Sequence, residues 1–135
     1  MVISAKQREK GRVDLLFLLF QRVGSMLLLV LAIQYWIRLT GIYEGAQYRF
    51  DTMSEPWRFA ASTMAVLLPA ASLGLWGGHA WGVVLWIAFI ALEVLMHVWL
   101  SDWYGRADFR VFFHLFSLVA LLGFALAMRI LANRK

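Results

Sequence analysis

The stretch ALEVLMHVWLSDW, residues 91–103, sets Glu93 and His97 four residues apart in an otherwise apolar run. On a helix those positions share a face, so a carboxylate and an imidazole can exchange a proton, hydrogen-bond, or reach for a common ligand. Elsewhere in apolar stretches stand Gln34 and Arg38, in QYWIR, and His114 and Ser117, in HLFS. Three chemistries are open to such a set. Glu93 could hold helices in register through hydrogen bonds worth on the order of 1 kcal/mol each. It could handle protons or a polar substrate, the usual work of intramembrane acids beside histidines. Glu93, His97 and His114 also have the donor types of a zinc or iron site, though three ligands are a minimal set and no metal or other cofactor is assigned. A lipid or small-ligand pocket is the remaining use. No nucleophile–base pair and no phosphate-cradling glycine loop is present, so no catalytic residue is assigned.

Whether these side chains meet depends on the elements that carry them. The chain has 135 residues, 62% of them hydrophobic and 16% charged, with a mean hydropathy of +0.70. Soluble domains are less apolar and more charged, and 135 residues suffice for one domain. This is the composition of an integral membrane protein. Cysteine is absent, which removes disulfides and thiolate chemistry. The net charge of +5 lies at the ends of apolar segments, a pattern that suits lipid headgroups and not a nucleic-acid groove.

A membrane-crossing helix needs about 20 mostly apolar residues, and four segments qualify. The expected helices cover about 13–40, 57–76, 81–100 and 111–130, after a basic N-terminus over 1–12. They leave outer loops at 41–56 and 101–110 and a tight turn at 77–80. The basic N-terminus lacks a small-residue cleavage site after its apolar run, so it reads as a retained signal anchor. Ser54 and Pro56 in SEPW mark a helix start, and the glycines of GLWGGHAWG mark the hairpin. Trp36, Trp57, Trp76, Trp81, Trp99 and Trp103 fall near the expected interfaces. The expected architecture is an all-α, integral membrane four-helix up-down-up-down bundle.

With both termini on one side, that side holds Lys6, Arg8, Lys10, Arg12, Arg22, Arg129, Arg134 and Lys135, against Arg38, Arg49, Arg58, Arg106 and Arg110 on the other. Eight against five places both termini in the cytoplasm of a bacterial inner membrane. Glu93 then lies about 12 Å below the outer end of its helix, at about 1.5 Å per residue, with His97 one turn further out. Gln34 falls level with Glu93, Arg38 level with His97, and His114 one turn inside its own helix end. The outer half of the bundle therefore collects Gln34, Arg38, Glu93, His97, His114 and Ser117. The long outer loop is rich in aromatic and charged residues. Tyr43, Tyr48, Arg49, Phe50 and Trp57 are its candidate contacts with a partner, and Asp102 or Asp108 are candidate ion partners for Arg49 or Arg58.

The order YWIRLTGIYEG, RFDTMSEPW and LLPAASLGLW followed by WGVVLW resembles a small bacterial family of four-helix membrane proteins, a domain of unknown function, over most of the chain after the basic N-terminus. The resemblance implies fold and location and supplies no catalytic residues. In size, helix count and its small-residue second span the chain is also similar to DoxX-type four-helix proteins, which implies a link to redox or quinone-associated membrane complexes. The expectation is a non-enzymatic inner-membrane accessory or assembly subunit of a larger envelope complex. Its partners would be the bilayer, other membrane proteins or further copies of itself, and no nucleic acid. The alternative is a small transporter or redox-linked component acting through Glu93 and His97.

Overall fold

The computed structural model describes residues 5–42, 44–45 and 49–133, and these are built from helices and connecting turns. Helix α1 runs Ala5–Thr40, α2 Glu55–Trp76 and α3 Ala80–Val94. A π-helical turn, Leu95–Trp99, continues α3; a short α4 follows at Ser101–Tyr104, and α5 spans Asp108–Asn133. Four helical stretches are long and apolar enough to cross a membrane: Gln7–Thr40, Glu55–Trp76, Ala80–Trp99 and Asp108–Asn133.

Helix α1 begins eight residues before the expected start, within the basic N-terminal segment. Ala5, Gln7, Arg8, Glu9 and Lys10 are strong helix formers, and nothing crowds Gly11, so no residue there stops the helix. At 36 residues it is about 54 Å long, against a hydrocarbon layer of about 30 Å. Its first turns, with Arg8, Lys10 and Arg12 all exposed, extend past the apolar part. Further along, Gln21, Ser25, Leu28, Ala32 and Tyr35 are buried, a spacing of four and three that makes one stripe.

That stripe packs on α2, which lies between α1 and α3 and has the most extensive contacts in the molecule. Small residues allow this. Ala60, Ala61, Ala65 and Ala71 are almost wholly buried, and such small side chains let two helix backbones approach closely. Two polar devices fasten the interface. The Ser25 and Ser72 hydroxyls each donate to the other's backbone carbonyl, both at 2.8 Å. Pro69 has no N–H for the Ala65 carbonyl one turn back, and the Trp36 indole N–H donates to that carbonyl instead at 3.0 Å. The proline is thus accommodated by α1, not by a break in α2.

At the start of α2, Ser54 has an extended backbone but makes no side-chain cap; its carbonyl accepts from Arg58 N–H at 3.0 Å. At the far end Gly78 turns the chain with φ +70°, and Gly74 and Gly82 bring α2 and α3 into backbone contact. A Cβ on either would overlap the other's main chain. The GxxxG spacing therefore serves a turn and an internal close approach. Helix α5 lies against α1 and α3 with far less contact.

Candidate functional site

Glu93 is the centre of the polar set, 2% exposed although it belongs to an apolar helix. Helix α1 supplies Tyr35, whose hydroxyl donates to Glu93 Oε1 at 3.1 Å. Helix α5 supplies Arg110 and His114, one turn apart on one face. Arg110 Nη1 stands 3.8 Å from Oε1 and His114 Nε2 3.6 Å from Oε2. The π-turn supplies His97, with Nε2 3.5 Å from Oε2. A buried carboxylate survives in a low-dielectric interior only when surrounded by such groups.

His97 is held from both sides. The π-turn is closed by the Leu100 N–H bonded to the Leu95 carbonyl at 3.0 Å, a wide turn of the kind that recurs at functional sites. The imidazole Nδ1 lies 2.9 Å from the carbonyl oxygen of Gly105, a residue whose φ of +77° requires glycine. A carbonyl can only accept, so Nδ1 carries its hydrogen and Nε2 is the variable position. Nε2 and Glu93 Oε2 face each other, and neither has a hydrogen-bond partner among the described residues. Two buried lone pairs turned on one another repel. A proton on either atom makes the contact attractive.

The other expected members are placed as follows. His114 is buried, edge-on to Phe89 with ring centroids 5.1 Å apart. Ser117 is buried too, but its hydroxyl returns to the His114 carbonyl at 2.9 Å, fixing α5 locally without touching Glu93. Arg38 lies over the Tyr35 ring at 5.4 Å and the Trp57 ring at 5.1 Å, so it is near the cluster through aromatic faces and not through the carboxylate. Gln34 is exposed. Sitting 100° around α1 from Tyr35, it turns away from Glu93, and Tyr35 takes the place expected of it. Tyr35 and Arg110 are the two members that sequence reasoning missed. Both left signals: Tyr35 continues the stripe of Ser25, Leu28 and Ala32, and Arg110 is one turn before His114. No group of three His, Cys, Asp or Glu among the described residues is arranged to hold a metal ion.

In the long loop, Tyr43 and Tyr48 lie outside the described residues. Arg49 and Asp51, both exposed, pair with each other at 2.6 Å, and Arg106 pairs with Asp108 at 3.4 Å. These short-range pairs replace the expected contacts between the two loops, because neighbours two residues apart meet at little entropic cost. The loops do join at Tyr104, whose hydroxyl donates to the Pro56 carbonyl at 2.9 Å and whose ring meets Trp57 edge-on. Arg58 donates to the carbonyls of Met53 and Asp51, Met53 is buried, and Phe50 remains 38% exposed. Phe50 and Arg49 are thus the exposed described members of the expected set, while Trp57 is engaged within the chain.

Compared with known proteins, the sequence model of the Family of unknown function (DUF6163) matches residues 15–132, which include every residue of the cluster. No curated protein and no solved structure matches the chain.

Proposed function

The chain belongs to the Family of unknown function (DUF6163), a membership that brings no activity with it, and we propose that it is a non-enzymatic accessory or assembly subunit of a larger complex in the bacterial inner membrane. In this reading the four apolar helices cross the bilayer up-down-up-down, and the eight-to-five bias of Lys and Arg keeps both termini in the cytoplasm. The observation that carries the proposal is Gln34. Its side chain is exposed on α1, six residues before the helix ends at Thr40 and so about 9 Å inside that end. An amide facing hydrocarbon without a partner is costly, and glutamine is one of the side chains that bond helix to helix within membranes. The hydroxyls of Ser62 and Thr63 on α2 need no such partner, since each donates to its own helix at 2.9 Å. Gln34 therefore calls for a transmembrane helix that offers it an amide or hydroxyl.

Purification in mild detergent tests this. The native protein is expected to carry a stoichiometric membrane partner, and Gln34→Leu to lose it while remaining folded. Recovery of the native chain as a lone monomer would overturn the proposal.

A second reading, a small transporter or redox-linked component, is favoured by Glu93 Oε2 and His97 Nε2, which face each other without a hydrogen-bond partner among the described residues. Under it, Glu93→Gln abolishes a pH-dependent activity, whereas a docking subunit keeps its partner after the same change.

A further inference from the structure

Helix α1 has two organised faces. One is the stripe from Gln21 to Tyr35 that is buried on its neighbours. Roughly opposite runs a second series, Val23, Leu27, Val30, Gln34 and Ile37, with successive spacings of four, three, four and three residues. Val23, Leu27 and Val30 are 58%, 45% and 54% exposed; Gln34 is exposed and Ile37 half-buried. At about 100° per residue the five positions keep within about 80° of one another. This is the a/d repeat of a coiled-coil seam, in which a single polar residue at an a position fixes register and the number of strands. Gln34 holds such a position. The cations that flank the series are drawn off it by the chain's own rings: Arg22 lies over Trp76 at 4.2 Å, and Arg38 lies over Tyr35 and Trp57.

We propose that this seam pairs with the same seam of a second copy of the chain. The two α1 helices lie parallel about a two-fold axis along the bilayer normal, with their Gln34 amides bonded to each other. The inference rests on the docking role given to Gln34 and names the helix that it meets. A glutamine amide has two N–H donors and a carbonyl acceptor. Two of them facing across a two-fold axis each donate once and accept once, so the surface is complementary to itself. Copies inserted in the same direction bring residue 34 to residue 34 at equal depth. A helix of another protein has to supply an amide or hydroxyl at that depth, and an apolar face that follows the same repeat, from its own sequence. Small polar contacts and close packing are what hold such helices together in lipid.

The chain has no cysteine, so each single-cysteine variant reports on one position. The purified full chain is reconstituted at low density in phosphatidylcholine vesicles and oxidised with copper phenanthroline. A disulfide forms only where two Cα atoms come within about 7 Å. Leu27→Cys and Val30→Cys, on the seam, are expected to give linked dimer. Leu29→Cys, 49% exposed but on the flank of the same helix, should give only the background of random collisions. Adding Gln34→Leu to Leu27→Cys should weaken dimerisation about ten-fold, the worth of two interhelical hydrogen bonds. Circular dichroism verifies that each variant keeps its helices. Equal linking at all three positions, or linking undiminished by Gln34→Leu, overturns the proposal. So does a reconstituted chain that stays monomeric. If the chain purified from its native membrane then carries a different subunit at Gln34, the docking reading stands and only the second copy is excluded; a lone monomer from both sources overturns the two together.

Discussion

Helices α2 and α5 are both long and apolar, yet half of the most apolar stretch of α2 is buried within the molecule and only 17% of that of α5. The difference lies in their side chains. Helix α2 presents alanines, Ser72 and Gly74 to its neighbours and is gripped on two sides. Helix α5 carries Phe109, Phe112, Phe116 and Leu122, all well exposed, and among its described residues buries only His114, Ser117, Leu121 and Leu131. Helix α2 is held by backbone proximity and dispersion, whereas α5 is held by the polar cluster at Glu93 and by Phe124, whose ring packs on Phe17 and Phe20. Helices α1, α2 and α3 therefore form the closely packed core, and α5 is the less closely packed fourth helix, with Glu93 as its main polar contact.

The largest effect should come from attacking the tight side. In Gly82→Leu the new side chain meets the main chain of Gly74 and Leu75, atoms that no rotamer change can move aside. Overpacking of this kind ordinarily costs about 1–3 kcal/mol. Here it is expected to exceed about 4 kcal/mol, the range reserved for exceptional substitutions, and to leave little folded protein in detergent. Measured unfolding close to that of the native chain would mean that α2 and α3 are not in backbone contact.

Attacking the loose side should act more locally. Glu93→Leu strips Tyr35, His97, His114 and Arg110 of their common acceptor, and removing one partner of a buried ionic set typically costs about 3 kcal/mol. The loss should fall on α5. Amide hydrogen exchange is expected to accelerate over residues 108–133 while residues 60–75 keep native protection. If exchange rises equally in both helices, the polar point does not hold α5 separately. Tyr35→Phe is a milder version, removing one hydrogen bond of 3.1 Å while Arg110 still faces the carboxylate. A loss of about 1.5 kcal/mol is expected from a buried bond to a charged acceptor, read from unfolding in mixed micelles. A neutral result would assign Glu93 entirely to the histidines and Arg110.

The same two regions explain what could be read in advance. Apolar length marks the four long helices, because no other backbone arrangement satisfies its own polar groups in lipid. Glu93, His97 and His114 stood out because ionisable groups are rare in such runs. Gln34 misled because depth along a helix says nothing about direction around it. The stripe from Ser25 to Tyr35 held that information, since a 100° step separates the buried tyrosine from the exposed glutamine. Arg110 was hidden by its position at the edge of an apolar run, where it resembled a loop residue. The π-turn that positions His97 and the indole that serves the Ala65 carbonyl have no one-dimensional signature. Both arise from what a neighbouring segment supplies.

The smallest effect is expected where charge is most visible. Arg49 and Asp51 form a well-aligned pair, and the hydrogen bond from Arg49 holds the Asp51 carboxyl below the usual carboxylate range. A depressed acid contributes stability at pH values above its unfolded pKa, about 4, and the contribution is lost as pH falls through the lower folded value. Both side chains are in water, however, where such pairs are screened and weak. The loop is anchored instead by buried Met53 and by Arg58, which bonds the backbone carbonyls of Met53 and Asp51, contacts that survive any change at the Asp51 side chain. Asp51→Asn should therefore leave the thermal midpoint at pH 7 within error, and the native chain and the variant should decline together as pH is lowered. A midpoint loss matching that of Tyr35→Phe would show that an exposed ion pair can rival a buried hydrogen bond here. In that case burial would not be what separates the cluster around Glu93 from the loop above it.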